Sequence, residues 1–210
     1  DETFTEISHE AIPINFPSKR RKTRDILYVK GSFYNKDTVH IFINHRPSRW
    51  GAQLETEHAR MFVASVLRNT VDSIFNTNEN AHIIITGDFN DGPHNKSIKN
   101  ILAALKPNNN IQTDQLYNLS ALLEERTEVG THKHQGNWEI LDQFIVSGSL
   151  LLKSSNLFLK PEDTYIYKAD FLVEPDEKYL GYKPFRTYIG YKYNGGFSDH
   201  FPIYISLTLN

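Results

Sequence analysis

Two segments in the first part of the chain alternate between apolar and polar positions and predict β-strands. Residues 24–34 and 38–45 are rich in β-branched and aromatic residues, and the polar segment between them favours a turn. We therefore predict a β-hairpin over residues 24–45.

The segment after this hairpin has the periodicity of a helix. Apolar residues recur three and four positions apart over residues 53–76, with charged residues between them, which predicts a long amphipathic helix. A strand over residues 81–86, a shorter helix over residues 96–105 and a turn of helix within residues 116–124 are predicted next. The apolar face of the long helix consists of Leu54, Met61, Phe62, Val66, Leu67, Val71, Ile74 and Phe75.

From residue 130 onward the pattern predicts almost only strands and loops. Residues 131–147 are typical of a hairpin that turns at residues 135–137, and residues 198–209 predict a closing strand. Strands dominate, with helices between some of them, so we predict an α/β (α+β) fold. In this fold, a four-layer αββα sandwich, helices cover the outer faces of two mainly antiparallel sheets. No repeat or low-complexity linker divides residues 1–210, which we interpret as a single domain.

Composition excludes several classes of protein. The 210 residues are 39% hydrophobic and 23% charged, as in a globular domain with its own core. No cysteine is present, which excludes disulfides, thiolate metal ligands and a cysteine nucleophile. No apolar run approaches the roughly 20 residues of a membrane-spanning helix. Because the net charge is only −2, affinity for phosphate would need a local patch. The basic residues of segment 18–24 are one candidate, and a solvated loop is an equally good interpretation.

Four motifs place acidic, amide or imidazole side chains at the end of an apolar strand or within one. The motifs are IFINHRPSRWG, IIITGDFND, EILDQFIVS and GGFSDHFPIYISL. Packing alone does not require polar residues at these places. The candidate functional residues that they supply are His45, Asp88, Asn90, Asp142, Asp199 and His200.

The residue types in these motifs suit metal-assisted cleavage of a phosphoester. A hard divalent cation prefers carboxylate and amide oxygens, and phosphodiester hydrolysis needs an in-line water and donors to the phosphoryl oxygens. Asp88 and Asn90 are two positions apart and project to one face of an extended chain, where they can hold a water or a metal ion together. Asp142 lies in an apolar strand and is suited to orient a histidine by accepting its ring N–H.

Each motif also has a purely structural interpretation when it is taken alone. Gly-Asp-Phe-Asn is about as often a simple turn, Asp142 can be a satisfied buried acid, and a lone His45 is more often a core histidine. Asp91 is expected only to shape the turn. The four motifs together favour the chemical interpretation.

In this order and at about these separations, the motifs resemble the endonuclease/exonuclease/phosphatase superfamily, which includes deoxyribonuclease I, the abasic-site endonucleases and the sphingomyelinases. The resemblance covers residues 24–210, and segment 183–200 is most similar to a generic bacterial branch. It implies a hydrolase of phosphoesters that depends on Mg²⁺ or Mn²⁺. It also implies that His45 helps to polarise the scissile phosphate. Asp88 and Asn90 would be the pair that positions or activates the attacking water and contacts the metal ion and the phosphate, with Asp88 as a metal ligand.

The resemblance assigns roles to the later motifs as well. Asp142 orients His200, and His200 contacts the phosphate oxygens. Asp199 lies beside the divalent ion. Arg49 has no family role, but its charge and place make it a candidate phosphate contact.

One part of the family pattern does not fit residues 1–23. Family members carry an early asparagine and a glutamate that is a principal metal ligand, whereas Glu2, Glu6, Glu10 and Asn15 lack the strand context of these residues. We therefore expect the chain to be the C-terminal part of the domain, with its N-terminal portion missing, and the native protein to be longer. Full metal-dependent activity in a protein with an intact mass of 24.3 kDa would contradict this.

Two further features have competing interpretations. His132 and His134 have a spacing that can bind Zn²⁺, but no third ligand is evident, so an ordinary strand edge near the substrate cleft is the better interpretation. Trp50, Trp138 and the tyrosines of segment 186–194 can stack on a base, although core packing and loop anchoring are commoner roles.

The function that the sequence favours is hydrolysis of a phosphodiester by an activated water, with nucleic acid as one candidate substrate. Two alternatives in the same class stay open, a phosphomonoesterase and a lipid-headgroup phosphodiesterase. The inositol-phosphatase branch is disfavoured because LDQF stands where its Cys-Asp-Arg signature would be. A non-catalytic binding domain on the same scaffold is the alternative of another class. Compartment and oligomeric state are not predicted.

Overall fold

The computed structural model describes residues 3–18, 22–34, 37–49, 53–126, 128 and 130–209, and in the first helix it describes side chains from residue 56 onward. Part of the predicted basic segment (residues 19–21), Glu2, Trp50 and the side chain of Leu54 lie outside this description.

The first half of the described chain holds the longest elements. Strands β1 (Phe4–Ile12), β2 (Ile26–Phe33) and β3 (Asp37–His45) precede helix α1 (Gln53–Thr77). There follow β4 (His82–Asp88), a π-helical turn (Ser97–Ile101), β5 (Leu116–Asn118), a 3₁₀ turn (Leu119–Leu122) and α2 (Leu123–Arg126).

The second half consists of short strands and turns. They are β6 (His132–His134), β7 (Asn137–Glu139), β8 (Asp142–Ser147), a 3₁₀ turn (Gly148–Leu151), β9 (Leu157–Phe158), β10 (Thr164–Ile166), a 3₁₀ turn (Asp170–Leu172), β11 (Val173–Pro175), β12 (Tyr182–Pro184), β13 (Tyr188–Ile189), β14 (Lys192–Tyr193), β15 (Ile203–Ile205) and β16 (Thr208–Leu209).

A six-stranded sheet in the order β1-β2-β3-β4-β8-β5 forms the centre of the structure. Its pairs are antiparallel except β3–β4, which is parallel and is connected by α1. Parallel neighbours need such a crossover, since a tight turn can join only antiparallel strands. The predicted hairpin is confirmed as β2–β3, and the long helix begins at the predicted residue.

Both faces of this sheet are covered, which explains the unbroken apolar run of β4. Ile83 and Ile85 pack with Leu67 and Val71 of α1, whereas Ile84 packs on the opposite face with Leu150 and other residues of the second half. A strand buried on both faces gains nothing from alternation with polar residues. Burying each of these side chains stabilises the fold by about 1.5–3 kcal/mol.

The second layer is built from short antiparallel pairs, among them β9–β16 and β10–β15. The predicted fold class, a mixed α/β sandwich with mainly antiparallel strands, is confirmed. In the described part of the chain, no helix has the length and apolar character needed to cross a lipid bilayer.

Two local predictions differ from the structure, and one strand was not predicted. The helix predicted over residues 96–105 is only a five-residue π-helical turn, because Leu105 instead forms a parallel bridge to Tyr117. The predicted turn of helix at 116–124 begins as strand β5, which pairs with β8. Residues 4–12, for which no element was predicted, form β1 at the sheet edge.

Candidate active site

Three of the predicted residues lie in one row across the end of the sheet. Since β3 and β4 are parallel, their carboxyl ends meet at the same edge, with His45 opposite Asp88. Strand β8 runs the other way and begins at this edge, with Asp142 opposite Asp88. The Nε2 atom of His45 is 3.7 Å from Oδ2 of Asp88. Strand register therefore brings together residues that are up to 97 positions apart in the sequence.

Gly87 is required for this row because its backbone packs against that of Asn44. Its φ is +121°, and a Cβ at this position would lie 2.0 Å from the carbonyl oxygen of Asn44. Only glycine combines this backbone conformation with so close an approach. Close packing of the two strands therefore explains why a glycine precedes Asp88.

Asn90 holds the Asp88 carboxylate in place. Its backbone N–H donates to Oδ1 of Asp88 at 2.8 Å, and its side-chain Nδ2 donates to Oδ2 at 3.0 Å. The same Nδ2 donates to the carbonyl of Arg46 at 3.1 Å. Asn90 has a φ of +50°, a left-handed conformation that asparagine tolerates better than most residues.

Asp91 does more than shape the turn, which corrects the prediction for this residue. It is fully buried, forms an ion pair with Arg60 of α1 at 2.8 Å and accepts a hydrogen bond from Ser97 Oγ at 2.6 Å. The Arg46 guanidinium lies 4.0 Å above the Phe89 ring in the same region. This buried cluster ties the loop that carries Asn90 to the long helix.

His200 reaches the row from the C-terminal segment. The backbone of Phe201 donates to the Thr131 carbonyl at 2.8 Å, and His200 bridges to His132. Its ring Nδ1 lies 2.7 Å from Oδ2 of Asp142, and the two side chains are only 18% and 14% exposed. This is the contact that the sequence suggested for Asp142.

The electrostatic environment shifts the pKa values of His200 and Asp88. Burial lowers the pKa of His200, but its hydrogen bond to Asp142 and the negative charges of Asp142, Asp88 and Asp199 outweigh burial and raise the pKa overall. Burial raises the pKa of Asp88, and the nearby positive charge of His200 opposes this rise. Shifted pKa values of neighbouring groups in a cleft are typical of functional sites.

These residues surround a cavity of about 950 Å³, within the range of pockets that bind small ligands. Asp199 lies on its exposed rim. The cavity also has polar walls that the four motifs did not predict. The residues that line it are His45, Ser48, Arg49, Asp88, Asn90, His132, His134, Gln135, Asn137, Glu139, Leu141, Asp142, Arg186, Ser198, Asp199 and His200.

Arg49 lines the cavity, but its guanidinium already has protein partners. Its Nη1 lies 2.5 Å from Oε1 of Glu139, and its Nε donates to the Asn90 carbonyl at 2.7 Å. Interaction with His132, followed by that with Arg49, lowers the pKa of Glu139 to about 2 against the effect of partial burial. Arg49 therefore joins β7 to the Asn90 loop.

Sequence reasoning placed His132 at a strand edge near the substrate cleft but assigned it no role, and it missed Arg186 as a member of this cavity. The His132 ring lies 4.7 Å from the His200 ring, centre to centre, and its Nε2 is 3.4 Å from Nη2 of Arg186. The His-x-His spacing was a usable signal for His132, but nothing around Arg186 marked it. Trp138 stacks on Phe201 at 5.6 Å, in agreement with a packing role.

The donor set fits a divalent cation. Asp88, Asp142 and His200 place one potential ligand atom each within 4.8 Å of one another, and His132, Asp199 and His200 form a second such group. Carboxylate oxygens are the donors that Mg²⁺ and Mn²⁺ prefer. Among the N-terminal acids that the structure describes, Glu6 and Glu10 lie on β1, separated from β4 by two strands.

Comparison with known proteins identifies the family. A sequence profile described as "Endonuclease/Exonuclease/phosphatase family" matches residues 1–209. The chain belongs to this family. The resemblance inferred from the four motifs is confirmed, and the match includes the first 23 residues. No curated protein matches the chain significantly.

Solved structures share the fold at low identity. Truncated Caenorhabditis elegans TDP2 is 17% identical, with 70% of this chain and 54% of that chain covered and a TM-score of 0.50. The human Nocturnin catalytic domain with bound sulfate is 14% identical, with 99% and 61% covered and a TM-score of 0.57. D. rerio TDP2 complexed with a single-strand DNA product is 14% identical, with 98% and 69% covered and a TM-score of 0.56.

At these identities the likeness shows the fold alone, and the chain spans only 54% to 69% of the length of these three proteins. Family membership supports phosphoester hydrolysis as the general chemistry.

Proposed function

We propose that the protein hydrolyses phosphodiesters by attack of a water molecule on phosphorus, with assistance from Mg²⁺ or Mn²⁺. The observation that carries this proposal is the convergence of His45, Asp88 and Asp142 in one row, with His200 and Asn90 beside it, on a single cavity. Packing does not account for so many ionisable groups at one sheet end.

In the proposed reaction, Asp88 and Asn90 position the water, and Asp88 accepts its proton. Two hydrogen bonds from Asn90 fix the carboxylate, so that little reorganisation is needed when the water binds. The new bond forms between the water oxygen and phosphorus, and the ester P–O bond breaks. The alcohol leaves with a proton from solvent.

His200 and His45 donate hydrogen bonds to the phosphoryl oxygens. Asp142 keeps the His200 ring oriented, because its carboxylate accepts from Nδ1 and leaves Nε2 available. Each imidazole stabilises the negative charge that develops on these oxygens in the transition state.

A divalent cation would be held by carboxylates among the predicted ligands Asp88 and Asp199. Asp88 is grouped with Asp142 and His200, and Asp199 is grouped with His132 and His200. When bound, such an ion neutralises charge on the phosphoryl oxygens and favours ionisation of the water.

The direct test measures hydrolysis of bis-p-nitrophenyl phosphate with Mg²⁺ or Mn²⁺, with and without EDTA. We expect His200→Ala and Asp88→Ala each to lower kcat by about 10²–10⁴-fold while the fold is retained. The control is His58→Ala, which removes an exposed histidine on α1. Wild-type rates in both active-site variants would refute the assignment.

Isothermal titration with Mg²⁺ and Mn²⁺ separates this proposal from a non-catalytic binding domain, which need not bind a divalent ion. A panel of plasmid DNA, RNA and sphingomyelin then separates a nuclease from a lipid-headgroup phosphodiesterase.

A further inference from the structure

Arg186 presents a guanidinium to the cavity without a carboxylate partner. Within the part of the chain that the structure describes, no acidic group lies within ion-pair distance of it, and its near polar neighbour is His132 at 3.4 Å. Arg49, on the same cavity, is instead bound by Glu139 and by a backbone carbonyl. Of these two cavity arginines, Arg186 is the one available to a ligand.

The backbone around Arg186 is firmly held. Its carbonyl accepts hydrogen bonds from Gly196 N–H and Asn194 Nδ2, both at 3.2 Å. Gly196 packs so closely that a Cβ there would lie 2.2 Å from the carbonyl oxygen of Phe185. Arg186 therefore projects from a fixed point at the base of the β13–β14 hairpin.

Arg186 and His132 extend the site away from the reaction centre. The His132 ring stands between His200, whose ring centre is 4.7 Å away, and the Arg186 guanidinium. Successive phosphates of a nucleic acid strand rise about 3.4 Å along the axis of a duplex, and further apart in an extended strand. His132 contacts both His200 and Arg186, so the guanidinium is separated from the His200 imidazole by one intervening ring.

The hairpin beyond Arg186 carries exposed aromatic rings. Tyr188 and Tyr193 pair across β13–β14 with 57% and 67% of their surfaces exposed, and Lys192 lies between them in the sequence. Aromatic rings with neighbouring positive charge are what single-stranded nucleic acid binds, through base stacking and phosphate contact. This hairpin begins two residues after Arg186 in the chain.

We propose that Arg186 binds a second, non-scissile phosphate of the substrate while His132 accepts a hydrogen bond from its guanidinium, so that the preferred substrate is a nucleotide strand rather than an isolated phosphodiester. Arginine suits this role because its planar fork can donate two parallel hydrogen bonds to one phosphate. The inference rests on the proposed function, because it extends the same cavity.

The test compares two esters with the same leaving group. They are thymidine 5′-(p-nitrophenyl phosphate) and the same compound with a 3′-phosphate, so that only the second phosphate differs. We expect the wild type to prefer the two-phosphate ester in kcat/KM by about tenfold or more. Arg186→Gln should abolish most of this preference, and Arg186→Lys should keep part of it.

Lys183→Gln is the matched control. It removes the same unit of charge from the same segment, but Lys183 faces Glu174 at 3.7 Å and does not line the cavity. The ratio of the two kcat/KM values should stay at the wild-type level. An unchanged ratio in Arg186→Gln, or an equal loss in Lys183→Gln, would overturn the proposed subsite.

A binding experiment decides the question independently of activity. Calorimetric titration with thymidine 3′,5′-bisphosphate and with thymidine 5′-monophosphate should show about tenfold tighter binding of the bisphosphate to wild type, and no such difference in Arg186→Gln. Equal affinities in the wild type would reject the subsite. If the wild type cleaves neither ester but this difference in affinity is present, the hydrolase proposal fails and the subsite stands.

Discussion

Replacement of Asp142 by asparagine tests how the carboxylate acts on His200. The substitution keeps size and shape but removes the charge that lies 2.7 Å from Nδ1 of His200. Hydrogen bonds to charged groups contribute about 1.5–3 kcal/mol, so loss of this one predicts a fall in kcat of about 10- to 150-fold. The fall extends to about 10⁴-fold if the asparagine amide donates to Nδ1 and so forces the other ring tautomer.

The fold should tolerate this change. Asp142 keeps its backbone place in β8 through the pairing with Asp88 and through the bond from its N–H to Thr131 Oγ1 at 3.3 Å. Asp114→Asn is the matched control, because Asp114 is exposed and does not line the cavity. Thermal unfolding of all variants is followed by circular dichroism, and kcat is measured with bis-p-nitrophenyl phosphate.

A double-mutant cycle with His200→Ala makes the test decisive. If Asp142 acts through His200, Asp142→Asn has little further effect on kcat once the imidazole is gone. Full additivity of the two losses, or a kcat within twofold of wild type for Asp142→Asn alone, would refute the reasoning.

Three other predictions concern the structural support of the site and the stability of the sheet. Gly87→Ala places a Cβ 2.0 Å from the Asn44 carbonyl oxygen at a φ of +121°. It should therefore lower the free energy of unfolding, measured in urea, by at least about 2 kcal/mol. A smaller loss would contradict the requirement for glycine at this close approach. Asp91→Asn breaks a fully buried ion pair with Arg60 and should lower the free energy of unfolding by about 3–5 kcal/mol in the same assay. A change near zero would argue that the buried cluster around Asp91 does not anchor the loop. Burial, followed by the charges of neighbouring groups, lowers the pKa of His40 to about 4 from 6.5. Protonation of His40 therefore favours the unfolded chain. The free energy of unfolding of the wild type should fall by at most about 3 kcal/mol between pH 6.5 and pH 4, and by less because His40 is partly exposed. In His40→Gln, the free energy of unfolding should fall measurably less over the same pH range.

Much of the local structure was predictable because its causes are local. The period of two in residues 24–45 predicted the β2–β3 hairpin, and the period near 3.6 over residues 53–76 predicted α1. Where the prediction failed, a distant contact prevailed. Leu105 left the predicted helix to bridge Tyr117, and residues 116–118 became a strand because β8 offered them an edge.

The candidate site was likewise predictable where its signals are local and not where they depend on distant contacts. The four motifs identified the acids and histidines of the row, because each motif marks a place where an apolar strand meets polar residues. The partners of the arginines were not visible, since Arg49 and Glu139 are 90 positions apart in the sequence. Arg186 comes to the cavity only through the folding of the C-terminal loops.

By itself, the sequence determined the class of fold, the family resemblance and the residues that can carry the chemistry, because periodicity and short motifs are encoded by neighbouring residues. Both Arg49 and Arg186 line the cavity, and the tertiary structure decided that Arg49 is paired with Glu139 whereas Arg186 has no carboxylate partner among the described residues. It also decided that Asp91 is a buried anchor and that His132 stands beside His200. These outcomes depend on pairings across the sheet and between distant loops, and only the packed chain brings such groups within the few ångströms over which hydrogen bonds and ion pairs form.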